Sequence, residues 1–245
     1  MAVIDLTLPV NRHMQGIPNL REYEENPTRC VVLSCMGEVQ KAYLESRDIE
    51  LDDNLEFTPH MLSRLDILTH IGTHIDAPCH FLESGGWTVE QIPLEHTIGK
   101  GVVVPLTHLK GRERITADAI IRTGVEIDAG VIPVLYTGWT ERAWGSDEFW
   151  GESIFLDTTA AEYIVEKGCK AVALDCFPEA PFWLGIEADQ PPGRNHKTLL
   201  GNKTIIIQLL TNISKLAGRE FTLYGIPLPL DGMDGSPARV FAVTE

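Results

Sequence analysis

Hydrophobic positions in this chain fall mostly into short β-branched runs rather than into helical stripes. Runs at Val3–Leu6, Cys30–Cys35, Leu62–Leu68, Val102–Leu106, Val131–Tyr136, Ala171–Leu174, Thr204–Leu210, Phe221–Ile226 and Val240–Val243 predict strands. Helical periodicity is clearest over Thr159–Lys167, where Ala161, Ile164 and Val165 form one apolar stripe. Thr159 and Glu162 read as a capping box at its start, and Gly168 as its stop. A second helix is expected to start at Thr116 and to carry Ile120 and Ile121. Strands outnumber helices and helices lie between strands, so the expected class is mixed α/β. Neither a repeat nor a linker-like stretch divides the chain, and residues 1–245 are read as one domain.

Composition removes several function classes. With 44% hydrophobic and 22% charged residues, the chain is neither disordered nor low in complexity. A formal charge of −15 opposes binding to polyphosphate or to an anionic bilayer, so neither nucleic acid nor membrane is an expected partner. The longest apolar runs, Val102–Leu106 and Ile205–Leu210, are far shorter than the ~20 residues of a spanning helix. Met1–Val10 lacks the apolar length of a signal peptide, and the five cysteines contain no C-x-x-C pair. A reduced, cytoplasmic protein is expected.

One stretch concentrates chemistry. Between His70 and His80 lie three of the eight histidines and one aspartate, at His70, His74, Asp76 and His80. Fully extended, His70 and His74 would have Cα atoms about 13 Å apart at ~3.3 Å per residue, too far to share an ion comfortably. The chain must therefore bend between them, and Gly72 permits the bend. Pro78 redirects the chain again before His80. A coil wrapped around an ion is expected here rather than a regular element. Two neutral imidazoles and a carboxylate suit Zn²⁺ or Mn²⁺ and leave room for a water that the ion acidifies. His80 is then free for proton transfer, because an ordinary imidazole titrates near pH ~6.5.

The string His70-x-Gly72-Thr73-His74-x-Asp76-x-Pro78-x-His80 resembles the signature of the metal-dependent cyclase family, which includes bacterial kynurenine formamidase, isatin hydrolase and a trans-dienelactone hydrolase. Asp5-Leu6-Thr7 with Pro9, Tyr136-Thr137-Gly138-Trp139, the Ala160–Asp175 segment and the closing Asp234-Gly235-Ser236-Pro237-Ala238-Arg239 look like further landmarks of the family. The resemblance implies the cyclase-family fold, a β-barrel-like core flanked by helices. It implies His70, His74 and Asp76 as ligands of the principal ion and His80 as general acid and base. His196 resembles a second-site histidine of the formamidases, which carry a bridging glutamate twelve residues later, where this chain has Gln208. A neutral amide cannot bridge two cations. One divalent ion per chain is therefore expected, manganese ahead of zinc, as the resemblance to isatin hydrolase implies. Gln208 lies in an almost wholly apolar run, where an unpartnered amide would cost roughly 1–3 kcal/mol, so it is read as holding the ion or its water.

The substrate is less legible. The Pro9–Tyr23 region lacks the tryptophan of the formamidases, and Tyr23 is the nearest planar group there together with His13. Phe81, Phe177 and Trp183, with Trp87 and Phe182, are candidates for a flat apolar pocket, and the Phe177–Trp183 segment is a candidate lid. The leading expectation is a hydrolase that opens a cyclic amide such as isatin; formamide and lactone hydrolysis are the alternatives. A facial triad of His74, Asp76 and His196 in a non-haem iron oxygenase would leave His70 and His80 unexplained. A metal-binding protein without catalysis would leave His80 without a role. Members of the family assemble as dimers or tetramers, and Trp139, Trp144 and Trp150 are candidates for such an interface.

Overall fold

The computed structural model describes residues 1–11, 13–14, 16–18, 28–33, 36–52, 62–185 and 191–245. Tyr23, His60 and Cys35 lie outside the described residues. An eight-stranded sheet runs β1 (Ala2–Asp5), β12 (Gly235–Thr244), β11 (Phe221–Pro227), β5 (Ile98–Pro105), β7 (Val131–Tyr136), β9 (Ala171–Leu174), β10 (Ile205–Gln208) and β4 (His74–Asp76). β4 also pairs with β12, so seven of these strands close into a barrel, to which β1 adds outside the ring. β5, β7, β9 and β10 are mutually parallel, and the remaining pairs are antiparallel. This is the mixed α/β barrel with flanking helices that the sequence resemblance implied. A separate ribbon ahead of the histidine segment pairs β2 (Thr28–Leu33) with β3 (Leu62–Ile67), and α1 (Met36–Glu45) lies between these two strands in the chain.

Parallel strands need crossovers, and the helices supply them. Between β5 and β7 come β6 (Arg114–Ile115) and α2 (Ala117–Arg122); between β7 and β9 come α3 (Trp139–Ala143), α4 (Glu148–Gly151), β8 (Phe155–Leu156) and α5 (Thr158–Glu166). Between β9 and β10 comes α6 (Arg194–Gly201). The Thr116 hydroxyl caps α2 as expected, accepting from Ala119 N at 3.1 Å. At α5 the cap is Asp157, which accepts from Thr159 N at 3.0 Å. The expected Thr159–Glu162 box is thereby corrected, since an aspartate two residues earlier already satisfies that end of the helix.

Strand alternation divides the core in two. Ala171, Ala173, Ile205, Ile207 and Ile75 point into the barrel, where they meet Leu223, Val240 and Ala242. Val172, Leu174 and Ile206 point outward against Ile120, Ile164, Leu199 and Trp139 of the helices. Both faces of the parallel strands are therefore buried, which is why they read as unbroken apolar runs. Trp139 and Trp150 belong to this outer core, with Trp139 fully buried and Trp150 only 8% exposed, so they pack the molecule's own interior rather than an interface. Among the described residues, no helix is long and apolar enough to cross a membrane.

Candidate metal centre

The histidine segment folds by a bend followed by a short paired strand. Gly72 takes φ +58°, the left-handed region that favours glycine, and the His74 Nδ1 closes the bend on the Gly72 carbonyl at 2.7 Å. Thr73 fixes the bend by accepting from Leu8 N at 2.8 Å and donating to the Leu209 carbonyl at 2.7 Å. The expected coil is corrected at the next residues: His74–Asp76 is a strand, paired on one side with Ile206–Gln208 and on the other with Gly235–Pro237. Two flanking ladders override the absence of any strand-like pattern in three residues. Because Ile75 and Ile207 enter the barrel, His74, Asp76 and Gln208 all face outward, toward α6. A turn of 3₁₀ helix, Pro78–His80, then brings His80 back over the same spot.

The side chains converge on Asp76, which is fully buried. Its Oδ1 lies 2.8 Å from His70 Nδ1 and 3.2 Å from His74 Nε2. Its Oδ2 accepts from the Gln208 amide and lies 3.5 Å from His196 Nε2. His196 comes from α6, and its Nδ1 and backbone N both reach Glu179 Oε1 at 2.9 Å. A second carboxylate, Asp234, approaches His70 Nε2 at 3.0 Å and His80 Nδ1 at 3.1 Å.

Charge follows from these contacts. Burial works against ionising Asp76, yet hydrogen bonds from His196, His70 and His74 hold its carboxyl well below the ordinary range. Burial alone would lower His70, but Asp234 and Asp76 reverse that and raise it to about 9. His196 is likewise lowered by burial and carried up to about 9 by Asp76 and Glu179. His80 has its pKa lowered, because burial outweighs the pull of Asp234 and Asp76. Anionic oxygens thus favour protons on His70 and His196, and a cation held there would take the place of those protons.

The donor set suits a divalent ion. One ligand atom each from His70, His74 and Asp76 lie within 4.8 Å of one another, as do those of Asp76, His80 and His196. The His74 Nδ1 is spent on the Gly72 carbonyl, so its Nε2 lone pair faces inward, the arrangement that fixes a metal-ligating tautomer. His70, His74 and Asp76 are accordingly the residues that would hold the ion.

A cavity of about 270 Å³ opens over the cluster, with His70, His74, His80, His196 and Gln208 at its base. Phe81, Phe177 and Phe182 form its apolar walls, with Phe81 stacked on His196 at 4.4 Å. Trp183 stands behind the wall, donating to the Trp150 carbonyl at 2.9 Å and touching Phe177 and Phe182. Trp87 packs elsewhere, against His96 and Lys203. Within the segment expected as a lid, Glu179 is only 8% exposed and Trp183 is hydrogen-bonded to the Trp150 carbonyl, while Phe182 is 51% exposed at the cavity mouth. A second cavity, of about 290 Å³, lies beyond Glu179 and contains none of the histidines. Glu179 and Asp234 have no role that the sequence alone assigns. Their local signals are the prolines around Glu179 and, for Asp234, its place at the head of the closing Asp234–Arg239 landmark.

Fold and site together define a barrel protein with a histidine–carboxylate cluster able to hold a metal ion on its outer face. The family model described as "Putative cyclase" matches residues 4–178, and the chain belongs to that family. Kynurenine formamidase of Geobacillus thermodenitrificans is 27% identical over 73% of this chain and 78% of its own length. A solved structure described as a potential metal-dependent hydrolase with cyclase activity is 30% identical, covers 98% of this chain and 96% of its own, and superposes with a TM-score of 0.70. An isatin hydrolase bound to the product analogue thioisatinate shares the fold, with a TM-score of 0.75 at 21% identity, over 99% of this chain and 92% of its own.

Proposed function

We propose that this chain is a metal-dependent hydrolase that opens a small, flat cyclic amide of the isatin type, using one divalent ion. The observation that carries the reading is the hydrogen bond from Gln208 to Asp76 Oδ2. It sets a neutral amide beside the one buried carboxylate, so the pair offers a single negative charge where a two-ion centre would call for a second anionic ligand. Manganese is the favoured ion and zinc the alternative, both compatible with two imidazoles and a carboxylate.

When bound, the ion supplies Lewis acidity and a water acidified toward neutral pH. The protein's own groups do the rest. Phe81, Phe177 and Phe182 hold a planar substrate against the histidines and keep bulk water out. His80, with Nδ1 on Asp234, takes the proton of the attacking water on its other ring nitrogen. It then gives that proton to the ring nitrogen as the carbon–nitrogen bond breaks, leaving an amine and a carboxylic acid that releases its own proton to solvent as the carboxylate forms. His196, fixed by Glu179, lines the same floor and is placed to orient the substrate carbonyl.

The test is isatin turnover by manganese- and zinc-loaded protein, with N-formylkynurenine alongside. Metal-dependent loss of isatin is expected. His80→Ala should keep its metal and lose about 10²- to 10⁴-fold in kcat, the range for losing a general acid–base group. Release of formate from N-formylkynurenine with isatin untouched would overturn the cyclic-amide reading in favour of a formamidase, the alternative that the Geobacillus relative favours. Inertness toward both would also overturn it and leave lactones as the next substrates to assay.

A further inference from the structure

We infer that Asp234 is a positioning residue shared by two roles: one of its oxygens orients both the metal-holding His70 and the proton-transferring His80. The inference rests on the hydrolase reading for the roles of those two histidines.

The backbone at Asp234 is held before its side chain is considered. Ala77 N donates to the Asp234 carbonyl at 2.9 Å, and Val89 N donates to the Met233 carbonyl at 2.9 Å. The next residue, Gly235, pairs with Asp76 at the start of β12. A Cβ at Gly235 would lie 2.6 Å from His70 Cε1 and 2.9 Å from the Ile75 carbonyl. Glycine is therefore needed for the His70 ring to lie against this strand, within reach of the preceding carboxylate.

The carboxylate then has three fixed contacts. Oδ1 accepts from the Thr69 hydroxyl at 3.0 Å, which sets its rotation. Oδ2 lies 3.0 Å from His70 Nε2 and 3.1 Å from His80 Nδ1. The two imidazoles are stacked, with centroids 3.9 Å apart and planes 25° from parallel. Their neighbouring edges meet on the same oxygen. The His80 contact is a formed hydrogen bond, whereas His70 Nε2 lies off the hydrogen-bond axis and is otherwise unpartnered although buried.

This placement has a chemical consequence at each ring. A proton on His80 Nδ1 directed at Asp234 leaves the other nitrogen as the acceptor that proton transfer requires. A proton on His70 Nε2 facing Asp234 leaves Nδ1, the atom beside Asp76, as the lone pair for the ion. One carboxylate thereby selects the His80 tautomer through a hydrogen bond and favours the His70 tautomer through its charge, 3.0 Å from Nε2.

The experiment compares wild type with Asp234→Ala, Asp234→Asn and Thr69→Val. Zinc-loaded proteins are studied by ¹⁵N imidazole NMR, with the His80 signals identified by their loss in His80→Gln. The zinc dissociation constant is measured by chelator competition, and kcat and KM are measured on isatin. In wild type, His80 should carry its proton on Nδ1. Asp234→Ala should move that proton to Nε2 and weaken zinc binding by about 10- to 100-fold, the usual effect of losing a carboxylate behind a ligating histidine. It should also lower kcat more than about tenfold with KM changed less than about threefold. Asp234→Asn can keep both acceptor contacts and turn its NH₂ to the Thr69 oxygen, so it should restore the His80 tautomer and most of the zinc affinity. Thr69→Val, which releases the rotation of the carboxylate, should show a weaker form of the alanine phenotype.

An unchanged His80 tautomer and zinc affinity in Asp234→Ala would overturn the inference. If that variant does not fold, the same two readouts unchanged in Thr69→Val overturn it. Tautomer and zinc affinity need no turnover, so a wild-type protein inactive on isatin would sink the proposed function while leaving this test intact.

Discussion

Under the proposed one-ion reading, Gln208 sets how many ions the candidate centre holds. It is 3% exposed, faces the fully buried Asp76, and neutralises nothing. Gln208→Glu would press two buried carboxylates together, and an uncompensated buried charge costs about 3–5 kcal/mol. At about 2–4 °C per kcal/mol for a chain of this size, the metal-free variant should melt about 6–20 °C below wild type. The same change supplies a second anionic ligand, so metal content after gel filtration should rise from one ion per chain toward two. An unchanged melting point and a single ion would show that Gln208 does not set the stoichiometry. At this scale the site is half legible in the sequence. His70, His74, Asp76 and His80 stand close together, separated by a glycine and a proline that force the bends an ion requires. Glu179 and Asp234 reach the same point from 103 and 158 residues beyond Asp76, and only the folded chain brings them there.

The elements behind the site depend on buried polar groups as much as on apolar packing. Asp175, at the end of β9, accepts from Thr137 Oγ1 at 2.6 Å, Thr137 N at 3.0 Å and Gly138 N at 2.7 Å, tying β9 to the start of α3. Burial raises its carboxyl from 3.8 to about 6 despite those donors. A folded value above the ordinary one contributes stability that is fully present below about pH 4 and is lost as pH rises through about 6. Asp175→Asn does not titrate. Relative to it, wild type should lose about 2–3 kcal/mol between about pH 4 and 7, since each pH unit separating the folded and unfolded values is worth about 1.4 kcal/mol. Urea denaturation of both proteins across that range checks the sign, and a wild type that gains on the variant would mean that the donors outweigh burial. The legibility of the elements follows the same division. Val131–Tyr136 and Ala171–Leu174 are legible to the residue because both faces are apolar. α6 escapes the sequence pattern because it buries Asn195 and His196 beside Leu199 and Leu200, so its inward face carries no hydrophobic stripe. β4 escapes it because three residues are too few for a pattern, and its strand character comes from its neighbours.

At the scale of the molecule, the candidate metal centre sits on the seam that closes the barrel. β4 is the only described strand joining β10 to β12, with three paired residues on each side. The cluster adds cross-links at that weak point: Asp76 and His74 from β4, Gln208 from β10, Asp234 just ahead of β12, His196 from α6, and Glu179 from the loop behind it. Elsewhere the ladders between β11 and β12 and between β5 and β7 are longer, with seven and six residue pairs, and the two-pair ladder between β7 and β9 is backed by the apolar helix layer instead. An ion binding only the folded form at about a hundred times its dissociation constant adds about 2.7 kcal/mol. Chelation should therefore lower the melting point by about 5–11 °C. The loss should also be local. Hydrogen exchange should accelerate up to about 100-fold, the factor that this free energy represents, at residues 70–80, in β10 and at the start of α6, while β5, β7 and β11 change little. Uniform acceleration around the whole barrel would mean that the ion stabilises the fold without closing the seam. No acceleration at β4 would mean that the paired backbone holds the seam unaided, and that the histidines are kept there for chemistry alone.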